Sequence, residues 1–273
     1  MSKTETEMLR LEKVSKTFGQ GTPNEKCVLN EFSLTLNKGE FVTIIGSNGA
    51  GKSTTFSVIS GAQINEKGMI FLDGENITFE KEHNRSKSIG RVFQDPLKGT
   101  APNMTIEENL SLAYLRTSEG KKGMFSRVNK TDREFFASKL KMLGIGLESR
   151  LGDRVGLLSG GQRQALTLLM ATLVSPKLLL LDEHTAALDP ETASKILSLT
   201  QSIVEENQIT CMMITHNIAQ ALSIGSRTIM MHNGEIIFDV SGEQRKNMTV
   251  EDILQRFQQN TKESLATDRI LLS

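Results

Sequence analysis

Gly46-Ser47-Asn48-Gly49-Ala50-Gly51-Lys52-Ser53-Thr54 has the residue types and spacing to hold a phosphate. Glycine lets the backbone wrap an oxyanion where a Cβ would collide. The Lys52 ammonium reaches β- and γ-phosphates, and the Ser53 hydroxyl can ligate Mg²⁺. A glycine-rich turn with a stray lysine would look alike in isolation. The apolar run Phe41-Val42-Thr43-Ile44-Ile45 before it and a helical pattern after it favour the phosphate reading, because a strand feeding a helix N-terminus aims backbone N–H groups at an anion.

A second set of polar residues follows Leu178-Leu179-Leu180-Leu181, which reads as a strand buried on both faces. It delivers Asp182 and Glu183 at its C-terminal end, the edge where ligands bind in parallel α/β sheets. Asp182 can hold Mg²⁺ directly or through water, and Glu183 can orient or deprotonate an attacking water. Either acid alone could be a helix cap. His216, after the apolar run from Thr210 to Ile214, becomes a candidate contact to a γ-phosphate in such company. Ser159 and Gln162 stand in S-x-x-Q register, a capping box opening an apolar helix that runs to Val174. With Gly160 and Gly161 this helix end is either a second anion site or simply a well-capped terminus. Phe18 is open between stacking on a base and core packing.

The elements that must position these groups follow from periodicity. Alternation over Leu9–Val14 and Val28–Leu36 predicts two strands of an antiparallel layer, with Ser15–Gly21 as a loop between them. A helix over Thr54–Ser60 stops at Gly61, and Met69–Leu72 turns at Asp73-Gly74 into a return over Ile77–Phe79. Ile89–Phe93 is a short buried strand. Helical periodicity then dominates residues 95–156, with Thr105 capping a segment through Tyr114 and Asp132 opening another through Leu143. Ser118–Lys130, with Lys121-Lys122, reads as a solvated link. Asp189 and Pro190 start a helix reaching Glu206, and Asn233-Gly234 turns a last hairpin from Ile229–His232 to Glu235–Phe238. A helix from Thr249 places Val250, Ile253, Leu254 and Phe257 on one face, and a polar tail follows Gln258 as far as Ile270. His83, His184 and His232 carry no local constellation.

Composition narrows the class. With 273 residues the chain can bury a core without staples, and 38% hydrophobic with 23% charged residues describes a globule. The 32 basic and 32 acidic side chains cancel, which gives no grip on nucleic acid or on an anionic membrane. The polar start at residues 1–7 has no apolar leader, and the most apolar run, Ala165 to Val174, is too short to span a bilayer. A cytoplasmic chain reaching a membrane only through a partner is expected. Cys27 and Cys211, distant and without metal spacing, read as reduced, buried residues.

The phosphate loop, Gln94, Leu158 to Gln162, Asp182-Glu183, Ala187 to Asp189 and His216, in this order, resemble the ATP-binding subunit of an ABC transporter over about residues 8–240. Ser159-Gly160-Gly161-Gln162 is the part specific to that family among P-loop ATPases. The resemblance implies an α/β P-loop NTPase core at about 8–94 and 157–240, an antiparallel β layer and an inserted helical subdomain at about 95–156. The C-terminal helix at about 249–258 completes a single domain of residues 1–258, before a polar tail at 259–273. It also implies a head-to-tail dimer, a homodimer or one with a paired ATPase subunit, with ATP between the P-loop of one subunit (Gly46, Ser47, Asn48, Gly49, Ala50, Gly51, Lys52, Ser53, Thr54) and Ser159, Gly160, Gly161 and Gln162 of the other. On the same footing Phe18 stacks adenine, and Ser53, Gln94 and Asp182 hold Mg²⁺. Glu183 is the catalytic base, His216 aligns γ-phosphate and base, and Asp189 bridges the dimer. The chemistry would be phosphoryl transfer to water.

Where the family usually has proline after the acidic pair, this chain has His184, so a local backbone effect is expected. Asp95 to Asn103 resembles the surface that receives a membrane permease. One cassette without a fused membrane domain implies a bacterial importer on the cytoplasmic face of the membrane, served indirectly by an extracytoplasmic binding protein, with amino acids as the cargo class. The alternative is a soluble ATP switch, regulatory or ribosome-associated. Such proteins usually carry two cassettes, and a second P-loop is absent here. A P-loop kinase would have no use for Ser159 to Gln162.

Overall fold

A computed structural model describes residues 7–116 and 128–260. The part of the expected link up to residue 127, with Lys121-Lys122, and the tail from residue 261 lie outside the described residues. Two long strands, β1 (Glu7–Phe18) and β2 (Lys26–Asn37), precede β3 (Phe41–Gly46) and helix α1 (Lys52–Ser60). Then come β4 (Lys67–Leu72), the two-residue β5 (Glu75–Asn76), α2 (Glu82–Arg85) and β6 (Ile89–Val92). A 3₁₀ turn at Pro96–Gly99 leads to α3 (Ile106–Arg116), α4 (Lys130–Lys141), α5 (Gly160–Thr172) and β7 (Leu178–Asp182). Helix α6 (Pro190–Glu206), β8 (Thr210–Ile214), α7 (Ile218–Ser223), β9 (Arg227–His232), β10 (Glu235–Ser241), α8 (Gly242–Lys246) and α9 (Val250–Asn260) complete the chain.

Two compact units emerge, Met1–Arg85 with Gln208–Ser273, and Ser86–Asn207. In the first, β2, β1, β4 and β5 form the expected antiparallel layer, with Leu9 opposite Leu36 and Leu72. Beside it β3 lies parallel between β8 and β9, its six residues all buried, and β10 closes the hairpin with β9. A strand buried on both faces must read as a continuous apolar run, and Phe41–Ile45 with Cys211–Ile214 does so. Helix α9 docks in this unit through Ile253 and Phe257 against Ile45, Ile218, Met230 and Phe238, so the amphipathic face expected from its sequence has a partner.

The second unit holds the parallel pair β6–β7 and a helical core in which Ile106, Leu110, Phe136, Leu140, Leu166 and Leu169 meet. Local caps fix its helix ends. Thr105 and Glu108 exchange reciprocal bonds at the start of α3, and Asn129 and Asp132 do so for α4. Asp132 is therefore the third helical residue, and the helix opens two residues earlier than expected.

Three other expectations are corrected. Strand β1 runs through Ser15-Lys16-Thr17 instead of ending at Val14. Lys13 adopts φ 47° at a break in register, and the buried Lys16 ammonium is satisfied by Glu66 Oε1 at 2.7 Å and the Ile64 carbonyl at 2.8 Å. The return strand after Asp73-Gly74 pairs at Glu75–Asn76, before Ile77–Phe79. Cys27 is exposed, whereas Cys211 is buried as expected, and burial pushes its thiol pKa well up. Short helices α2, α7 and α8 were not foreseen. Among the described residues no helix is long and apolar enough to cross a membrane.

Candidate functional site

The phosphate loop joins β3 to α1 as the sequence requires. Gly46, Gly49 and Gly51 have φ of 147°, 79° and 99°, conformations that strain an L side chain. At Gly46 glycine is also steric, since a Cβ would lie 2.1 Å from the Met231 carbonyl oxygen. The Lys52 ammonium, 5% exposed, is held over the loop by the carbonyls of Gly46 (2.7 Å) and Ser47 (2.9 Å). Ser53 and Thr54 follow Lys52 in the first turn of α1, and Asn48 and Gly49 are exposed.

Phe18 is 38% exposed at the end of β1, with the Lys16 ammonium 5.3 Å from its ring centroid. It is not a core residue, which leaves it free to stack. The antiparallel register pairs it with Lys26, whose Nζ stands 3.8 Å from the point where a Cβ on Gly49 would be. Sequence reasoning missed Lys26, because strand register is not written locally. His216 lies in the same unit, partly exposed between β8 and α7. The Thr215 N–H donates to the Ile44 carbonyl at 3.1 Å, and Asn217 caps α7 by accepting from Gln220 N–H at 2.9 Å.

In the second unit β7 delivers the acidic pair. The Asp182 carboxylate faces Arg91 at 3.5 Å, with both side chains 13% exposed. Glu183 has φ 47°, a sparsely populated conformation for a residue with a side chain, and its Oε2 accepts from Gln94 Nε2 at 3.1 Å. The structure thus brings together the two residues singled out as base and metal contact. The next residue, His184, is only 2% exposed. The Thr200 hydroxyl donates to the Ile196 carbonyl at 2.8 Å, so the His184 Nε2, 3.2 Å from Thr200 Oγ1, must be the donor to it. Burial lowers the His184 pKa to about 4, leaving a neutral ring that anchors the turn to α6. His184 therefore has a constellation, formed with a residue sixteen positions away.

The helix terminus expected at Ser159 is also present. Ser159 Oγ accepts from Gln162 N–H, and Gln162 Oε1 accepts from Ser159 N–H, each at 3.2 Å. Arg163 braces the preceding loop through the carbonyls of Val155, Gly156 and Leu158. Ser159 and Gly160 are exposed, and Gly161 has no room for a Cβ, which would meet Thr192 Cγ2 at 2.3 Å. The exposed Asp189 caps α6, accepting from Thr192 at 3.0 Å, and its contacts with Thr192 hold its pKa below the usual carboxylate value.

Among the described residues no group of three or more His, Cys, Asp or Glu could hold a metal ion by itself. The first unit offers the Ser53 hydroxyl and the second the Gln94 amide and the Asp182 carboxylate, and each is the kind of hard oxygen donor that Mg²⁺ takes.

Comparison with known proteins places these features in a family. Residues 29–186 match the family model described as ABC transporter. A tyrosine transport ATP-binding protein of Clostridioides difficile is 44% identical over 92% of this chain and 99% of its own length. A xylose/arabinose import ATP-binding protein of Sulfolobus acidocaldarius is 32% identical over 92% of this chain and 95% of its own. Among solved structures, an ATP-binding cassette in a dimeric post-hydrolysis state with ADP and Pi superposes with a TM-score of 0.73 at 29% identity, covering 86% of this chain and 98% of that one. An ABC transporter cassette in its ADP conformation gives 0.74 at 28%, covering 92% and 98%. The chain belongs to the ABC transporter family as an ATP-binding subunit, an ATPase with a P-loop α/β fold.

Proposed function

We propose that the chain powers a bacterial importer of amino acids or similar small solutes, working as a head-to-tail dimer on the cytoplasmic side of a membrane permease served by an extracytoplasmic binding protein. The observation that carries this reading is the 44% identity, across nearly the whole of both chains, to a tyrosine transport ATP-binding protein. The exposed, reciprocally capped Ser159–Gln162 terminus supports the dimer, because an exposed helix N-terminus is open to an anion brought by a second copy.

In this reading Phe18 takes the adenine, and residues 46–54 wrap the phosphates. Ser53, Gln94 and Asp182 hold Mg²⁺, which neutralises phosphate charge when bound. Glu183 accepts the proton of the attacking water, with Gln94 orienting its carboxylate through their 3.1 Å bond. His216 aligns the γ-phosphate, Asp189 lies at the dimer interface, residues 95–156 form the helical subdomain of a single domain, and residues 95–103 meet the permease.

The test is recovery of tagged Glu183→Gln chain from native membranes with ATP present. The expected companions are a multi-span membrane protein and a binding lipoprotein. Recovery of ribosomes or soluble partners alone would overturn the transport reading. Ser159→Arg should abolish turnover while a single copy still binds ATP, and unchanged turnover would refute the composite site.

A further inference from the structure

Three contacts tie the β9–β10 hairpin to the phosphate loop. The Gly234 N–H donates to the Ala50 carbonyl at 3.0 Å, and at Gly46 the two backbones approach as closely as glycine allows. The third is between side chains, with His232 Nδ1 3.4 Å from Ser47 Oγ. The other ring nitrogen, Nε2, lies 3.1 Å from Asn233 Nδ2. An amide nitrogen only donates, so Nε2 accepts and the proton of the neutral ring sits on Nδ1. Nδ1–H then donates to the Ser47 oxygen, which leaves the hydroxyl hydrogen of Ser47 to point elsewhere. Phe257 of α9 meets the same imidazole edge-on, with centroids 5.7 Å apart and planes at 84°. Phe257 is itself seated in the core with Ile253, Ile45 and Met230.

We propose that His232 is a positioning residue for ATP: it occupies the acceptor side of the Ser47 hydroxyl so that the hydroxyl hydrogen is offered to a phosphate oxygen, and α9 holds the imidazole in place through Phe257. The inference rests on the assignment of the loop as the ATP site. It gives His232 and the C-terminal helix a part in nucleotide affinity that neither phosphate chemistry nor sheet packing requires of them.

Equilibrium binding of ATP to the full chain, with steady-state hydrolysis beside it, tests this. Replacing one hydrogen-bond relay in a partly exposed site is worth about 1 kcal/mol, so His232→Ala should raise the ATP Kd and KM about fivefold and leave kcat within about twofold. His232→Asn, whose amide nitrogen takes the place of Nδ1, should restore near-native Kd. His232→Gln, whose amide aligns with Nε2, should not. In a Ser47→Ala background His232→Ala should add nothing further. Unchanged Kd in His232→Ala, equal behaviour of the Asn and Gln variants, or additive effects with Ser47→Ala would each overturn the proposal. A native chain that bound no ATP would remove the shared assignment, whereas native binding with indifferent variants sinks only the role of His232.

Discussion

Arg85 offers a quantitative test of how the far end of the phosphate-binding helix is secured. Its guanidinium is 3% exposed and ends in four backbone carbonyls, donating to Val58 and Ile59 at 2.8 Å, Thr78 at 2.8 Å and Glu80 at 3.0 Å. Val58 and Ile59 belong to the last turn of α1, where the Gly61 N–H also donates to the Val58 carbonyl at 3.3 Å, and a cation there meets the favourable end of the helix dipole. Gly61, at φ 81°, lets the chain leave the helix beneath the arginine, since a Cβ there would come within 3.0 Å of Arg85 Nε. Burial lowers the Arg85 pKa, with the Glu80 charge opposing, so part of the gain is offset by desolvation of the cation. Four bonds at about 1 kcal/mol net each, less that offset, give about 3 kcal/mol for Arg85→Met, which fills similar volume and donates nothing. For a chain this long that corresponds to a fall in Tm of about 6 °C or more. Arg85→Lys, with one ammonium in place of a fork, should lose about half as much. The measurement is thermal and urea unfolding of the native chain and both variants. An Arg85→Met chain within about 1 kcal/mol of native would refute the view that Arg85 secures α1.

Two further outcomes follow from burial. A thiol reagent should titrate one cysteine of the folded chain, Cys27, and reach Cys211 only in denaturant; two fast thiols in the native state would contradict the packing of β8. Thr200→Val keeps shape but leaves the buried His184 Nε2–H without its acceptor, so it should cost about 1–3 kcal/mol in unfolding experiments, and a neutral result would refute the assigned donor direction.

What the sequence discloses is what local chemistry encodes. The phosphate loop needs a strand, glycines at fixed steps and a helix, all within 20 contiguous residues, and each is visible there. The capping boxes at Ser159 and Thr105 and the Asp189-Pro190 helix start are equally local, because a cap bonds within three residues. The misses share the opposite cause. Strand β1 continues past Val14 because Lys16 finds Glu66 fifty residues away. Cys27 is exposed because of where its strand edge lies, and Lys26 reaches Gly49 only once β1 and β2 are in register. His184 is anchored by a threonine on the next helix, and His232 meets a loop 185 residues earlier in the chain. Glu183 was legible as an acid after a buried strand, but not as a residue in a left-handed conformation, which depends on how β7 ends.

The most direct test of the central claim, that Glu183 drives ATP hydrolysis in this chain, compares single-turnover and steady-state ATPase rates of native and Glu183→Gln protein alongside their ATP affinities. General-base removal should lower turnover by about 10²-fold or more, with ATP Kd close to native. A Glu183→Gln chain that hydrolyses ATP at the native rate would contradict the account.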